Sequence, residues 1–182
     1  MKINSIKYLY HGTNQEFEAF DFGKAKAFKD FGKGFYLTTN LAQAQKWAQN
    51  KGRRENKAYI YRYVVTPVVP DEWKILELLQ YDKKWVDFIT QCRIEGVETD
   101  YDIIYDRMAD SHAIDISESL RDYNEDKITA DEVISKIKWK DSTKADQFCF
   151  KNKRAVQLLK DREVFVWIKD SEGRWKFEER KR

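Results

Sequence analysis

Within Asp30-Phe31-Gly32-Lys33-Gly34-Phe35-Tyr36-Leu37-Thr38-Thr39, two glycines bracket a lysine and an aromatic, β-branched run follows at once. Glycine tolerates positive φ and lets other groups approach the backbone, so Gly32 and Gly34 predict a tight turn or bulge. Residues 35–39 have strand character. Alternation then puts Phe35 and Leu37 on one face, expected to be core, and Gly34, Tyr36 and Thr38 on the other. That second face offers bare backbone, an aromatic plate and a hydroxyl, which suits a flat polar ligand. Upstream, Tyr10-His11-Gly12-Thr13 places an imidazole and a glycine backbone at the end of an apolar run. Taken singly, His11 reads as a strand-end histidine, Tyr36 as a strand aromatic and Lys33 as a solvated turn lysine. Cys92 and Cys149 lie outside any CxxC pair, and with only His11 and His112 they make no typical zinc set. The expectation is two reduced, buried thiols and no metal.

The elements that must position these groups follow from pattern. A first strand over 6–10 ends at His11-Gly12-Thr13, and 14–29 is expected to be a loop with at most a short helix. Asn40 can cap a helix from 41 to about 50 with Ala44, Trp47 and Ala48 inward. A basic turn over 51–57 leads to the clearest strand, 58–66, closed by Pro67 and Pro70. Residues 75–79 fit a strand or a short helix, and 82–96 an amphipathic helix ended by Gly96. A buried strand is predicted over 101–105, followed by helices over 114–124 and 129–137, the second with a Thr129/Glu132 capping box. The remainder reads as a strand at 147–150, a helix at 152–160 and a strand at 163–169, with a turn at 171–174 leading to Trp175 and Phe177. Strands and helices interspersed, with few parallel neighbours, predict an α+β fold.

At 182 residues the chain is expected to be a single domain over 1–182 with a real core. An apolar fraction of 42% excludes wholesale disorder, and 36% charged residues imply a heavily solvated surface. A net charge of +3 argues only weakly for nucleic acid. No secretory apolar segment or membrane-length run is present, so a cytoplasmic protein without membrane partners is expected. Arg180-Lys181-Arg182 reads as a frayed end.

Tyr10-His11-Gly12-Thr13, then Phe31-Gly32-Lys33-Gly34-Phe35-Tyr36, then a helix with Ala42, Ala44 and Trp47 resembles the ADP-ribosyltransferase superfamily. The likeness is to the branch with a histidine, a tyrosine and a third polar residue on three strands, as in the poly(ADP-ribose) polymerases. The layout also resembles a bacterial domain family of that clan with a late Gln-aromatic-x-Phe strand, met here as Gln147-Phe148-Cys149-Phe150. The resemblance spans roughly residues 7–160. It implies a split β-sandwich of two small, mostly antiparallel sheets with flanking helices. It also implies NAD as co-substrate and mono-ADP-ribosyl transfer, as in a bacterial toxin or effector neutralised by a small partner. The alternative is an inactive module of the same fold that binds NAD, ADP-ribose or a protein.

By residue, the resemblance implies that His11, Tyr36 and Gln147 form the catalytic set, and that His11, Gly12, Thr13, Lys33, Gly34 and Tyr36 bind NAD. Gly12 would bond the nicotinamide amide, His11 a ribose hydroxyl, and Tyr36 would stack on the nicotinamide ring. Many active relatives carry glutamate at the third position, and glutamine cannot take a proton there. Gln147→Glu, nearly equal in volume, is therefore expected to add a useful carboxylate. Asp110 is a second candidate carboxylate, its plain reading a loop or cap residue. The acceptor, whether protein, nucleic acid or small molecule, stays open.

Overall fold

Short aromatic and β-branched runs become strands, and the capped, helically periodic stretches become helices. In the computed structural model, which describes residues 2–66, 69–109, 115–139 and 145–181, the elements follow in chain order. They are β1 (Tyr8–Thr13), β2 (Phe35–Leu37), α1 (Leu41–Lys51), β3 (Lys57–Val65), β4 (Ile75–Leu78), α2 (Lys83–Thr90) and β5 (Ile103–Asp106). Then come α3 (Ile116–Asn124), α4 (Ala130–Ile137), β6 (Gln147–Phe150), α5 (Lys153–Val156), β7 (Leu159–Lys169) and β8 (Trp175–Lys181). The fold is α+β: two four-stranded sheets, mostly antiparallel, with five helices among the described residues. The chain divides into two compact units. One comprises Met1–Phe20, Tyr36–Glu72 and Val156–Arg182, the other Asp21–Phe35 and Trp73–Ala155.

The first unit is built on the sheet β1-β3-β7-β8, antiparallel throughout. As an interior strand β3 is covered on both faces, which is why Ala58 to Tyr61 are all buried. On one face Ala58 and Ile60 pack with Ala44 and Ala48 of α1, and Tyr10, Phe165, Trp167 and Trp175 close the cluster. On the other, Phe17 stacks on Tyr61 with ring centroids 4.2 Å apart. Helix α1 starts as predicted, with Asn40 Oδ1 accepting the Gln43 N–H at 3.1 Å.

One element departs from pattern. The helix expected over 152–160 is a single turn, α5, and Leu159 instead opens β7 opposite Val65. The Thr66 N–H donates to the Leu158 carbonyl at 2.8 Å, and the ladder continues from there. Helical periodicity in 155–159 loses because the backbone at the end of β3 would otherwise lack partners.

The second unit carries the sheet β2-β6-β5-β4, of which β2 contributes Phe35 to this unit. The ambiguous 75–79 stretch is a strand because Ile75 to Leu78 pair in parallel with Ile103 to Asp106. β5 pairs antiparallel with β6, placing Asp106 opposite Gln147 in the backbone register. Helix α2, capped by Asp82 on the Trp85 N–H, runs into a π-helical turn at Gln91–Glu95 that ends on Gly96 at φ 71°. Asp102, buried, ties the end of this sheet together by accepting from Lys74 N–H, Asn152 Nδ2 and the Arg154 guanidinium. The Thr129/Glu132 capping box forms as expected. No described helix is long and apolar enough to cross a membrane.

Candidate functional site

The first unit holds His11, Gly12, Thr13 and Tyr36. β1 is the outer strand of its sheet, and beyond it Tyr10 exchanges two hydrogen bonds with Thr38, N···O 2.8 and 2.9 Å. That bridge is isolated. Alternate residues of a strand aim their backbone groups at the same edge, so Gly12 and Tyr36 would form the next hydrogen-bonded pair. They do not. The Tyr36 carbonyl is taken by His11 Nδ1 at 2.7 Å, and the Gly12 carbonyl accepts from Lys51 Nζ at a long 3.3 Å. The ladder thus opens where a glycine presents both N–H and C=O to the strand edge.

A carbonyl can only accept, so Nδ1 carries the ring proton and Nε2 is the acceptor nitrogen of a neutral imidazole. The electrostatics agree. Burial lowers the His11 pKa from 6.5 to about 4, the Lys51 ammonium pushes the same way, and the Tyr36 carbonyl only partly opposes them. Phe17 meets the imidazole edge-on at 5.9 Å. The Phe17 segment is strapped down by its own N–H to Tyr61 Oη (2.7 Å) and by Arg162 Nη1 to its carbonyl (2.8 Å).

Thr13 is buried, and its hydroxyl accepts from the Gln15 N–H, making the turn that ends β1. Thr38 corrects the expectation of a ligand-facing hydroxyl. It is wholly buried, and its Oγ1 accepts from the Asn40 N–H at 3.1 Å, setting up the α1 cap. Phe35 and Leu37 are core as expected, and Tyr36 is half-buried.

The second unit holds Lys33, Gly34 and Gln147. Gly32, at φ 68°, makes the turn, whereas Gly34 is needed for closeness. A Cβ there would lie 2.3 Å from Cys149 Sγ and 3.0 Å from the Phe150 carbonyl. Lys33 is exposed. Gln147, 4% exposed at the start of β6, donates from Nε2 to Asp30 Oδ2 at 3.0 Å. The other oxygen of Asp30 faces Arg93 Nε at 3.3 Å. Asp30, Arg93 and Lys51 were not singled out as functional from sequence. Asp30 opens the glycine-lysine-glycine stretch, but nothing local signals a contact 117 residues away.

Cys92 and Cys149 are buried and form no disulfide among the described residues, and burial pushes the Cys92 thiol up to about 11, away from reactivity. Asp110 and His112 lie outside the described residues. Among those described, no group of three His, Cys, Asp or Glu side chains could hold a metal.

No curated protein and no solved structure gives a significant match to the chain. A family described as "Protein of unknown function (DUF3990)" matches residues 7–160, a stretch that includes His11, Lys33, Tyr36 and Gln147. With most of its length matched, the chain belongs to that family.

Proposed function

We propose that this protein is an NAD-dependent mono-ADP-ribosyltransferase with an ADP-ribosyltransferase-like fold. The observation that carries the reading is the interrupted ladder at Gly12 and Tyr36, with the imidazole of His11 on the tyrosine carbonyl. A carboxamide needs one donor and one acceptor side by side, and the outward N–H and C=O of Gly12 supply them. Lys51 gives up its long bond to that carbonyl when the amide arrives. Nε2 of the neutral His11 accepts from a ribose hydroxyl, and the Tyr36 ring stacks on the nicotinamide. The motif likeness around His11 and Tyr36 supports the same assignment.

In the reaction the C1′–N bond breaks and its electron pair returns to the cationic ring nitrogen, releasing neutral nicotinamide. The acceptor's lone pair forms the new bond to C1′, and the acceptor's proton leaves to solvent. Positive charge develops at C1′, so the protein's work is orientation and electrostatic stabilisation. The motif likeness gives Gln147 the part of orienting the sugar without taking a proton. A toxin or effector role, with a small neutralising partner, belongs to the same proposal. Because an amide is no base, a second reading is a module that binds NAD or ADP-ribose without turnover.

NAD radiolabelled in the adenylate half, incubated with the protein and a cell extract, separates the two. Label transferred to an acceptor is the expected result. Binding by calorimetry with neither transfer nor nicotinamide release establishes the module, and absence of both binding and release ends the NAD reading.

The stacking role makes a narrower prediction. Tyr36→Ala is expected to weaken NAD by about 1–2 kcal/mol, the scale of an aromatic pair, and Tyr36→Phe to leave it almost unchanged. Equal affinity for wild type and a folded alanine variant would remove Tyr36 from the site.

A further inference from the structure

We propose that Asp30 is the positioning residue of Gln147 and the source of the negative charge that a glutamate would carry at that place. The inference rests on the NAD reading above and adds to it a residue that the motifs do not contain. A primary amide is a donor at one end and an acceptor at the other. With Nε2 bonded to the Asp30 carboxylate at 3.0 Å, the orientation of the Gln147 amide is decided. Its Oε1 is the opposite, accepting end, the polarity needed to receive a ribose hydroxyl. A carboxylate behind the amide also polarises it, since hydrogen bonds in a chain strengthen one another.

The surroundings hold Asp30 in place. The Phe31 carbonyl accepts from Lys151 Nζ, whose ammonium also lies 3.7 Å from Glu98. Gly34 is pressed against Cys149 and Phe150 of β6, so the stretch from Asp30 to Gly34 is clamped to that strand. Arg93 offsets the charge from the π-helical turn, a distortion that often accompanies function. Among the described residues its Nε and Nη1 find no hydrogen-bond acceptor, so Arg93 acts on Asp30 through charge, whereas Gln147 makes a formed hydrogen bond. Asp30 is 13% exposed and Arg93 19%, so water screens neither well.

This arrangement reverses the expected effect of Gln147→Glu. A glutamate there would set two carboxylates about 3 Å apart, which cannot both stay ionised in place. The single variant is expected to lose function rather than gain it. Exchanging the groups, Asp30→Asn with Gln147→Glu, restores one charge facing one amide.

The test measures nicotinamide release from NAD, with NAD affinity by calorimetry and a thermal melt for each protein. Asp30→Asn and Gln147→Glu should each lower kcat about tenfold or more, and the double variant should recover to within about threefold of wild type. With the melts of the single variants unchanged, rescue of that kind reports positioning and not support of the fold. Where the protein binds NAD without cleaving it, the same ordering is read in affinity. If Asp30→Asn does not fold, the exchanged pair decides: folded and working upholds the proposal, folded and impaired overturns it. Wild type that uses NAD, with both single variants equal to it, sinks the Asp30 role alone. Wild type that neither binds nor cleaves NAD sinks the functional reading, and this inference with it.

Discussion

Gly12→Ala is expected to destabilise the first unit by about 3 kcal/mol or more, at the upper end of what overpacking costs. A Cβ at Gly12 would lie 2.0 Å from the Ala44 carbonyl oxygen, 2.9 Å from its carbon and 3.0 Å from the Ala48 nitrogen. All three are backbone atoms of α1, so no side-chain rotation relieves the clash. The helix must move away from the strand, and Ala44 and Ala48 then lose their packing on Ala58 and Ile60. Denaturant unfolding of the variant checks the figure. A loss below about 1 kcal/mol would mean that α1 rides on the sheet more loosely than these distances allow. The consequence for function is direct. Gly12 is a glycine because of the helix behind it, and its N–H and C=O face the strand edge with only the long Lys51 bond on the carbonyl. A His-Gly pair at this strand end therefore has a structural reason that holds whether or not NAD binds.

Legibility in the sequence followed the range of the interactions concerned. The capping box, the Gly96 stop and the alternation of Phe35 and Leu37 depend on residues within a turn of one another, and each was readable. The strand at Gln147 was readable because four consecutive buried residues leave no helical stripe. Misreadings began where a distant strand or residue decided. Leu159 satisfies a helical period, yet it pairs with Val65. Thr38 alternates with Tyr36, yet its hydroxyl serves the cap of α1. Gln147 looked like a glutamate that had lost its charge, and only the folded chain shows Asp30 against its amide. The candidate histidine and tyrosine were legible as motifs. The bond from the imidazole to the Tyr36 carbonyl was not, because side chain and backbone meet across 25 residues.

The burial of that imidazole makes the stability of the first unit depend on pH in a window that its carboxylates alone would not set. His11 titrates near 6.5 when the chain is unfolded and near 4 when it is folded, chiefly through burial and then through Lys51. Between those values the unfolded chain binds a proton that the folded one refuses, so stability rises with pH. The contribution is therefore complete above about pH 6.5 and is lost as pH falls toward about 4, by at most about 3 kcal/mol. Urea midpoints of wild type and His11→Asn, compared from pH 4 to 8, isolate it. The asparagine amide can still donate to the Tyr36 carbonyl but does not titrate, so carboxylate effects common to both proteins cancel in the difference. The two curves should run parallel above pH 7 and converge by up to that amount below it. Parallel curves throughout would show that the imidazole accepts a proton as readily folded as unfolded. Lys51→Met separates the causes: with the ammonium gone, the His11 titration followed by NMR should move up, yet stay below 6.5 because burial is the stronger of the two causes. Above about pH 5 the ring is then neutral, with its proton on Nδ1 and its acceptor at Nε2. Affinity for NAD is accordingly expected to stay level from pH 6 to 8, where an unperturbed histidine would change its charge.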